Sequence, residues 1–206
     1  MKLLEINSLN IYYKKKNKKN YVIKDFSFSM NEGEIIALIG KSGIGKTTIA
    51  KTIMGLHSLY EGDIFLNINK EDIQYIFQDP YSSLNPYMNI SYIISEGMEF
   101  KNSDEKDKEI KRVLNLVRLD DSKRFCYPRE FSGGERQKIA IARALIRKPK
   151  LIIADEITSQ IDYHSKITII ELLRNLQKTT KFACLIISHD HNFINKLTDK
   201  VIDLSK

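Results

Sequence analysis

Residues 40–47 read Gly40-Lys41-Ser42-Gly43-Ile44-Gly45-Lys46-Thr47, with Thr48 directly behind them. The stretch fits G-x-x-x-x-G-K-[ST] at every position, a pattern that serves to grip phosphates. Glycines let the backbone wrap with its N–H groups turned inward, around the β- and γ-phosphates of a nucleotide. A helix opening at the end of the loop adds its partial positive charge. Lys46 brings an ammonium to the β/γ oxygens, and Thr47 offers a hydroxyl to Mg²⁺. Lys41, Ser42, Ile44 and Thr48 complete the cradle.

Two further groups stand where such a cradle needs them. Asp155 and Glu156 follow an apolar run, so they sit at the end of a buried strand. Asp155 is suited to hold Mg²⁺, and Glu156 to accept a proton from an attacking water. His189 ends another apolar run, and opposite a γ-phosphate its imidazole can report whether that phosphate is present. His57, His164 and His191 have no such placement.

Residues 131–137, FSGGERQ, resemble half of a second phosphate site without a lysine. Ser132 and Glu135 have the S-x-x-E spacing of a capping box, and Ile139, Ile141, Ala142, Leu145 and Ile146 give the following helix an apolar face. Taken alone, this is a well-capped helix. Taken with the upstream loop, its amino terminus can grip a γ-phosphate whose lysine comes from another subunit.

The elements that must position these groups are legible as patterns. Runs at 35–39, 151–154 and 184–187 read as buried parallel strands, each ending in polar residues. An open α/β sheet collects its ligands outside the carboxyl ends of such strands. The first 30 residues alternate instead, with Leu9, Ile11 and Tyr13, then Ile23, Phe26 and Phe28, as half-buried antiparallel strands do. Between 85 and 130 the strand signal gives way to helical spacing over 91–100 and 104–119. There Ile110, Val113, Leu114, Leu116 and Val117 share one face. The expected fold is α/β, a P-loop core with an N-terminal antiparallel β subdomain and an inserted helical subdomain. The whole chain, 1–206, is read as one domain. Residues 1–84 and 147–206 form the nucleotide-binding core with its β subdomain, and 85–146 form the helical part.

Composition is compatible with this. A chain of 206 residues with 42% hydrophobic and 29% charged residues supports one buried core. No apolar run reaches the length of a membrane span, and the first residues lack a secretory pattern. Cys126 and Cys184 have no metal or redox spacing and are expected to stay reduced in a cytosol. Of the net charge of +7, much lies in Lys14, Lys15, Lys16, Lys18 and Lys19. That run reads as a solvated turn between strands, with Asn17 and Asn20 supplying turn chemistry, rather than as a nucleic-acid patch.

The ordered series GKSGIGKTT, FQDP, FSGGERQ, LIIADE, SQID and SHD closely resembles the ATP-binding subunits of ABC transporters over nearly the whole chain. The resemblance implies ATP and Mg²⁺ as ligands and an ATPase coupled to transmembrane transport. It also implies roles by position. Tyr13, with Tyr12 as the alternative, stacks on adenine. Gln78 touches Mg²⁺ and the attacking water. Asp162 reaches across to a partner's site, and Ser132, Gly133, Gly134 and Glu135 form the signature that closes on a partner's ATP. A head-to-tail dimer with a second ATPase subunit, itself or a paralogue, is therefore expected. So are transmembrane permease subunits, an extracellular substrate-binding protein acting indirectly, a place on the cytoplasmic face of the membrane, and no nucleic acid.

FQDPYSSLNP and YPREFSGG are similar to the oligopeptide and nickel importer group. An exporter ATPase and a soluble ABC-type ATPase not coupled to transport are the alternatives. There are departures from the family pattern: Ile157 stands in place of proline, Phe131 in place of leucine, and Ser159 to Asp162 read SQID. The segment between 55 and 78 is short, which implies a trimmed β subdomain, and the tail after Asp203 is brief.

Overall fold

A computed structural model of the chain describes residues 1–16, 18–189, 194 and 197–205. Strands β1 (Lys2–Lys15) and β2 (Lys18–Asn31) form a long antiparallel hairpin, which β4 (Tyr60–Leu66) joins on the free side of β1. The lysine run lies at the tip of this hairpin, between the two strands as expected, but Lys14 and Lys15 belong to β1 and pair with Lys19 and Lys18 of β2, so the strands run on through most of the expected turn. Asn20, however, belongs to β2 and pairs with Tyr13, so it is not a turn residue. Asn17 lies outside the described residues.

The second sheet is parallel, with five strands in the order β5 (Ile73–Ile76), β6 (Leu151–Asp155), β7 (Ala183–Ile187), β3 (Ile35–Ile39) and β8 (Lys200–Asp203). Every residue of β3, β6 and β7 is buried. Strands of this kind read as continuous apolar runs because both sheet faces are covered. Alternate residues divide between two cores. Ile35, Ala37, Ile152, Ala154, Cys184 and Ile186 face the core built with helices α3 (Ile90–Ser95), α4 (Ser103–Leu116), α5 (Gly133–Leu145) and α6 (Tyr163–Thr180). Ile36, Leu38, Leu151, Ile153, Ala183 and Leu185 face α1 (Lys46–Ile53) and the antiparallel sheet.

Between 85 and 130 the chain is helical, with one difference from its periodicity. The helix expected over 91–100 stops at Ser95, and Gly97 follows with φ 67°. The second helix carries its apolar face as expected: Ile110, Val113, Leu114 and Val117 are buried, and Leu116 packs at the margin. The short helix α2 (Pro80–Ser83) and helices α3 and α4 all pack on α5. Among the described residues no helix is long and apolar enough to cross a membrane.

Candidate functional site

The phosphate loop spans the turn from β3 into α1. Gly45 caps α1 with φ 112°, a backbone state that side chains resist, and a Cβ there would come within 2.8 Å of Ile23. Only glycine lets the loop lie this close to the hairpin. Lys46 is 6% exposed and folds back over the loop, its Nζ donating to the carbonyls of Gly40 (2.8 Å) and Lys41 (3.1 Å). The ammonium is thus held within the arch that the loop makes.

The end of β6 faces this arch. Thr47 Oγ1 donates to Asp155 Oδ2 at 2.8 Å, across 108 residues of sequence. The hydroxyl of Tyr75, on the neighbouring strand β5, donates to the same oxygen at 2.6 Å. Burial first, and then the bond to Asp155, push the Tyr75 phenol far above its ordinary value, so it remains a proton donor.

Glu156 adopts φ 45°, the left-handed region, and its N–H donates to Ile187 O at 2.8 Å. This turn sets its carboxylate between two partners: Gln78 Nε2 donates to Oε2 at 3.0 Å, and His189 Nδ1 lies 3.3 Å from Oε1. Gln78 follows β5. Directly behind it Asp79 caps α2, accepting from the N–H groups of Tyr81 and Ser82. His189 is well exposed at the end of β7, and Asp190, which completes the SHD triplet, lies outside the described residues.

These groups enclose a cavity of about 240 Å³, with Ser42, Gly43 and residues 45–48 on one wall and Gln78, Asp155 and Glu156 on the other. The ends of three strands of one sheet, β3, β5 and β6, supply it, which is where an open parallel sheet places ligands. The structure therefore brings together Lys46, Thr47, Gln78, Asp155, Glu156 and His189.

Tyr13 is placed near this cavity for a different reason from the one its spacing implied. A register shift between Ile11 and Tyr12 breaks the alternation, so Leu9, Ile11 and Tyr12 are buried while Tyr13 is 45% exposed. Its ring lies 4.9 Å from that of His57, and its hydroxyl is 3.5 Å from Thr48 Oγ1. Tyr12 is occupied against Tyr21.

The signature residues lie elsewhere. Ser132 Oγ accepts from Glu135 N (3.3 Å), and Glu135 Oε2 accepts from Ser132 N (2.9 Å), completing the expected capping box. The Ser132 amide, with Lys123 at 3.1 Å, holds Glu135 below the usual carboxylate range. Asp162 caps α6 by accepting from Ser165 N and Oγ, bonds that also hold its carboxyl low. A Cβ on Gly134 would meet Ser165 Oγ at 2.6 Å, so the glycine lets the first turns of α5 and α6 touch. Gly133 lies beside Ile161. Ser132, Gly134, Glu135, His164 and Ser165 border a second cavity of about 190 Å³ that shares no residue with the first.

Sequence reasoning passed over two residues near these sites. Tyr75 is one, signalled only as an aromatic in a short strand, three residues before Gln78. Arg143 is the other. Its guanidinium is mostly buried and donates to Ser83 O at 2.6 Å, tying the segment after Gln78 to α5. Of the departures, Ile157 and Phe131 are both buried in the helix-side core, and Gln160 is exposed.

A parallel sheet in this order, with a phosphate loop after one strand and an acidic pair after another, defines a P-loop nucleotide hydrolase. Residues 23–159 match the ABC transporter family. The chain is 37% identical over its full length to the oligopeptide transport ATP-binding protein AmiF of Streptococcus pneumoniae serotype 4, of which it covers 72%. It is 36% identical to the oligopeptide transport ATP-binding protein OppF of Streptococcus pyogenes serotype M1, covering 100% of this chain and 73% of that one. Its fold is that of cbiO1 from Clostridium perfringens, part of the ABC transporter complex cbiONQ, with a TM-score of 0.87, 24% identity, and coverage of 98% and 84% of the two chains. The chain belongs to the ABC transporter family, and its reaction is the ATP hydrolysis that powers transport in that family.

Proposed function

We propose that this chain is the ATP-hydrolysing subunit of a peptide importer and works at the cytoplasmic face of a membrane, bound to permease subunits. The observation that carries the reading is the separation of the two phosphate-binding features. Lys46 and the acidic pair share one cavity, while Ser132 and Gly134 line another. Each ATP is then enclosed between Lys46 of one protomer and the signature of its partner, so two chains are needed for one complete site. A dimeric cassette with the same fold, MJ0796 bound to ADP and Pi (TM-score 0.82, 24% identity, covering 98% of this chain and 94% of that one), supports this arrangement. The peptide assignment rests on the relatives named above and on FQDPYSSLNP.

The donor set fits a hard divalent cation. The Thr47 hydroxyl and the Asp155 carboxylate already meet, and the Gln78 amide is on the same cavity wall. Mg²⁺ bound with ATP supplies charge neutralisation on the phosphate oxygens. The protein's part is positioning. Lys46 and the loop amides hold the phosphates, and Gln78 and Glu156 orient a water in line with the γ-phosphorus. As the water oxygen bonds to phosphorus, its proton passes to Glu156 and the bond to the ADP oxygen breaks. His189, touching Glu156, senses the γ-phosphate. Residues 85–146, tied by the Arg143–Ser83 bond to the segment that follows Gln78, form the lever that carries closure to the permease. Asp162 and its neighbours communicate between the two sites.

Glu156→Gln keeps the shape of the site and removes the proton acceptor. With MgATP it should sediment at twice the chain mass, and with ADP at the chain mass. A monomer in saturating MgATP would count against the shared site.

A further inference from the structure

Asp155 is 5% exposed, and two hydroxyl groups act on one of its oxygens. One belongs to Thr47, whose own oxygen is reserved for the cation in the reading above. The other belongs to Tyr75, which that reading leaves without a task. We propose that Tyr75 is a positioning residue of the nucleotide site: its hydroxyl fixes the Asp155 carboxylate in the orientation that the divalent cation carried by the nucleotide requires. The proposal rests on the functional reading above and adds a residue to it.

The strand geometry supports a fixed link. In the parallel pairing of β5 and β6, Tyr75 is opposite Ile153. Ile73 and Tyr75 face the same core as Leu151 and Ile153, so alternation puts Asp155 on that face too, which is also the face of α1 and therefore of Thr47. The Tyr75 ring is braced by Phe77 at 4.8 Å, with the planes at 69°. Its hydroxyl thus reaches Asp155 from a ring held in place by packing.

With both donors on Oδ2, rotation of the carboxylate about its last bond is arrested, and Oδ1 takes part in neither bond. Thr47 cannot do this alone once its oxygen is shared with the cation, because its one proton is then the sole link. Among the described residues, the Tyr75 hydroxyl is bonded to Asp155. Outer-shell donors to metal-binding carboxylates act in this way, and their loss weakens metal binding while leaving the ligands in place.

The test compares the wild type, Tyr75→Phe, Asp155→Ala and the double variant, each loaded with ADP. Mn²⁺ binding is followed by electron paramagnetic resonance, and ADP affinity is measured separately in EDTA. Phenylalanine keeps the ring against Phe77. Should that variant not fold, Tyr75→Met carries the same comparison. The expected result is Mn²⁺ affinity lower by about tenfold with ADP affinity in EDTA unchanged, and no additional loss when Asp155 is already alanine. Equal Mn²⁺ affinity in wild type and variant overturns the proposal. So does an equal loss of ADP affinity in EDTA, which marks a merely structural role, or a full additional loss in the Asp155→Ala background. A wild type that binds neither ADP nor Mn²⁺–ADP fails earlier and overturns the nucleotide reading itself.

Discussion

Glu156 combines a catalytic assignment with a backbone state that its side chain disfavours, and the two can be separated by substitution. At φ 45° its Cβ crowds the following carbonyl, a cost of about 1–2 kcal/mol for any residue except glycine. Glu156→Ala and Glu156→Gly both remove the contacts to Gln78 and His189, so those losses cancel in the comparison. Glycine relieves the strain and gives back about 0.4–1 kcal/mol through the greater freedom of the unfolded chain. The Gly variant should therefore be the more stable of the two by about 0.5–1 kcal/mol. At an unstrained position the order is reversed by a similar amount. Urea unfolding of the nucleotide-free protein measures the difference directly, and the melting temperatures should differ by roughly 1–4 °C in the same sense. Both variants should lose hydrolysis by at least about 100-fold. An alanine variant as stable as the glycine variant, or more so, would refute the claim that the fold holds Glu156 under strain for its task.

Other substitutions probe the surrounding elements. Ser132→Ala removes the side-chain acceptor of the α5 cap and should cost about 1 kcal/mol in unfolding free energy, with hydrolysis reduced as well. Arg143→Met leaves Ser83 O without its donor, for a cost of about 1–3 kcal/mol seen in urea unfolding. Its hydrolysis should also respond less to membrane partners, as measured in reconstituted vesicles. Cys184 is fully buried, and its thiol is pushed from 9.0 up to about 12. Between those values the unfolded chain releases a proton that the folded chain keeps, so stability falls as pH rises through that window. The slope from this group is about 1.4 kcal/mol per pH unit, and it should disappear in Cys184→Ala.

The parts of the site that a single stretch of chain encodes were legible in the sequence. Residues 40–47 announce their chemistry because loop, lysine and hydroxyl are contiguous, and the three buried strands appear as uninterrupted apolar runs. The capping box at Ser132 and Glu135 is equally local. What escaped depends on register between distant strands or on packing. Tyr75 meets Asp155 only because β5 pairs with β6 in one alignment, and nothing around Tyr75 in the sequence marks it as a donor. Tyr13 comes beside Thr48 of the phosphate loop through a register shift that reverses the alternation of β1, a change that spacing alone cannot reveal. Arg143 looks like one more charge on an amphipathic helix until α2 is placed against it.

The central claim is that one chain carries half of each ATP site. It is tested most directly by mixing two inactive variants, Lys46→Ala and Ser132→Arg. Each forms only incomplete sites with its own copies. The mixed dimer has one intact site, formed by Lys46 of the second variant and Ser132 of the first. The account predicts that ATP hydrolysis, absent from either preparation alone, returns on mixing. Full activity in either variant alone, or none in a mixture shown to contain mixed dimers, would contradict it.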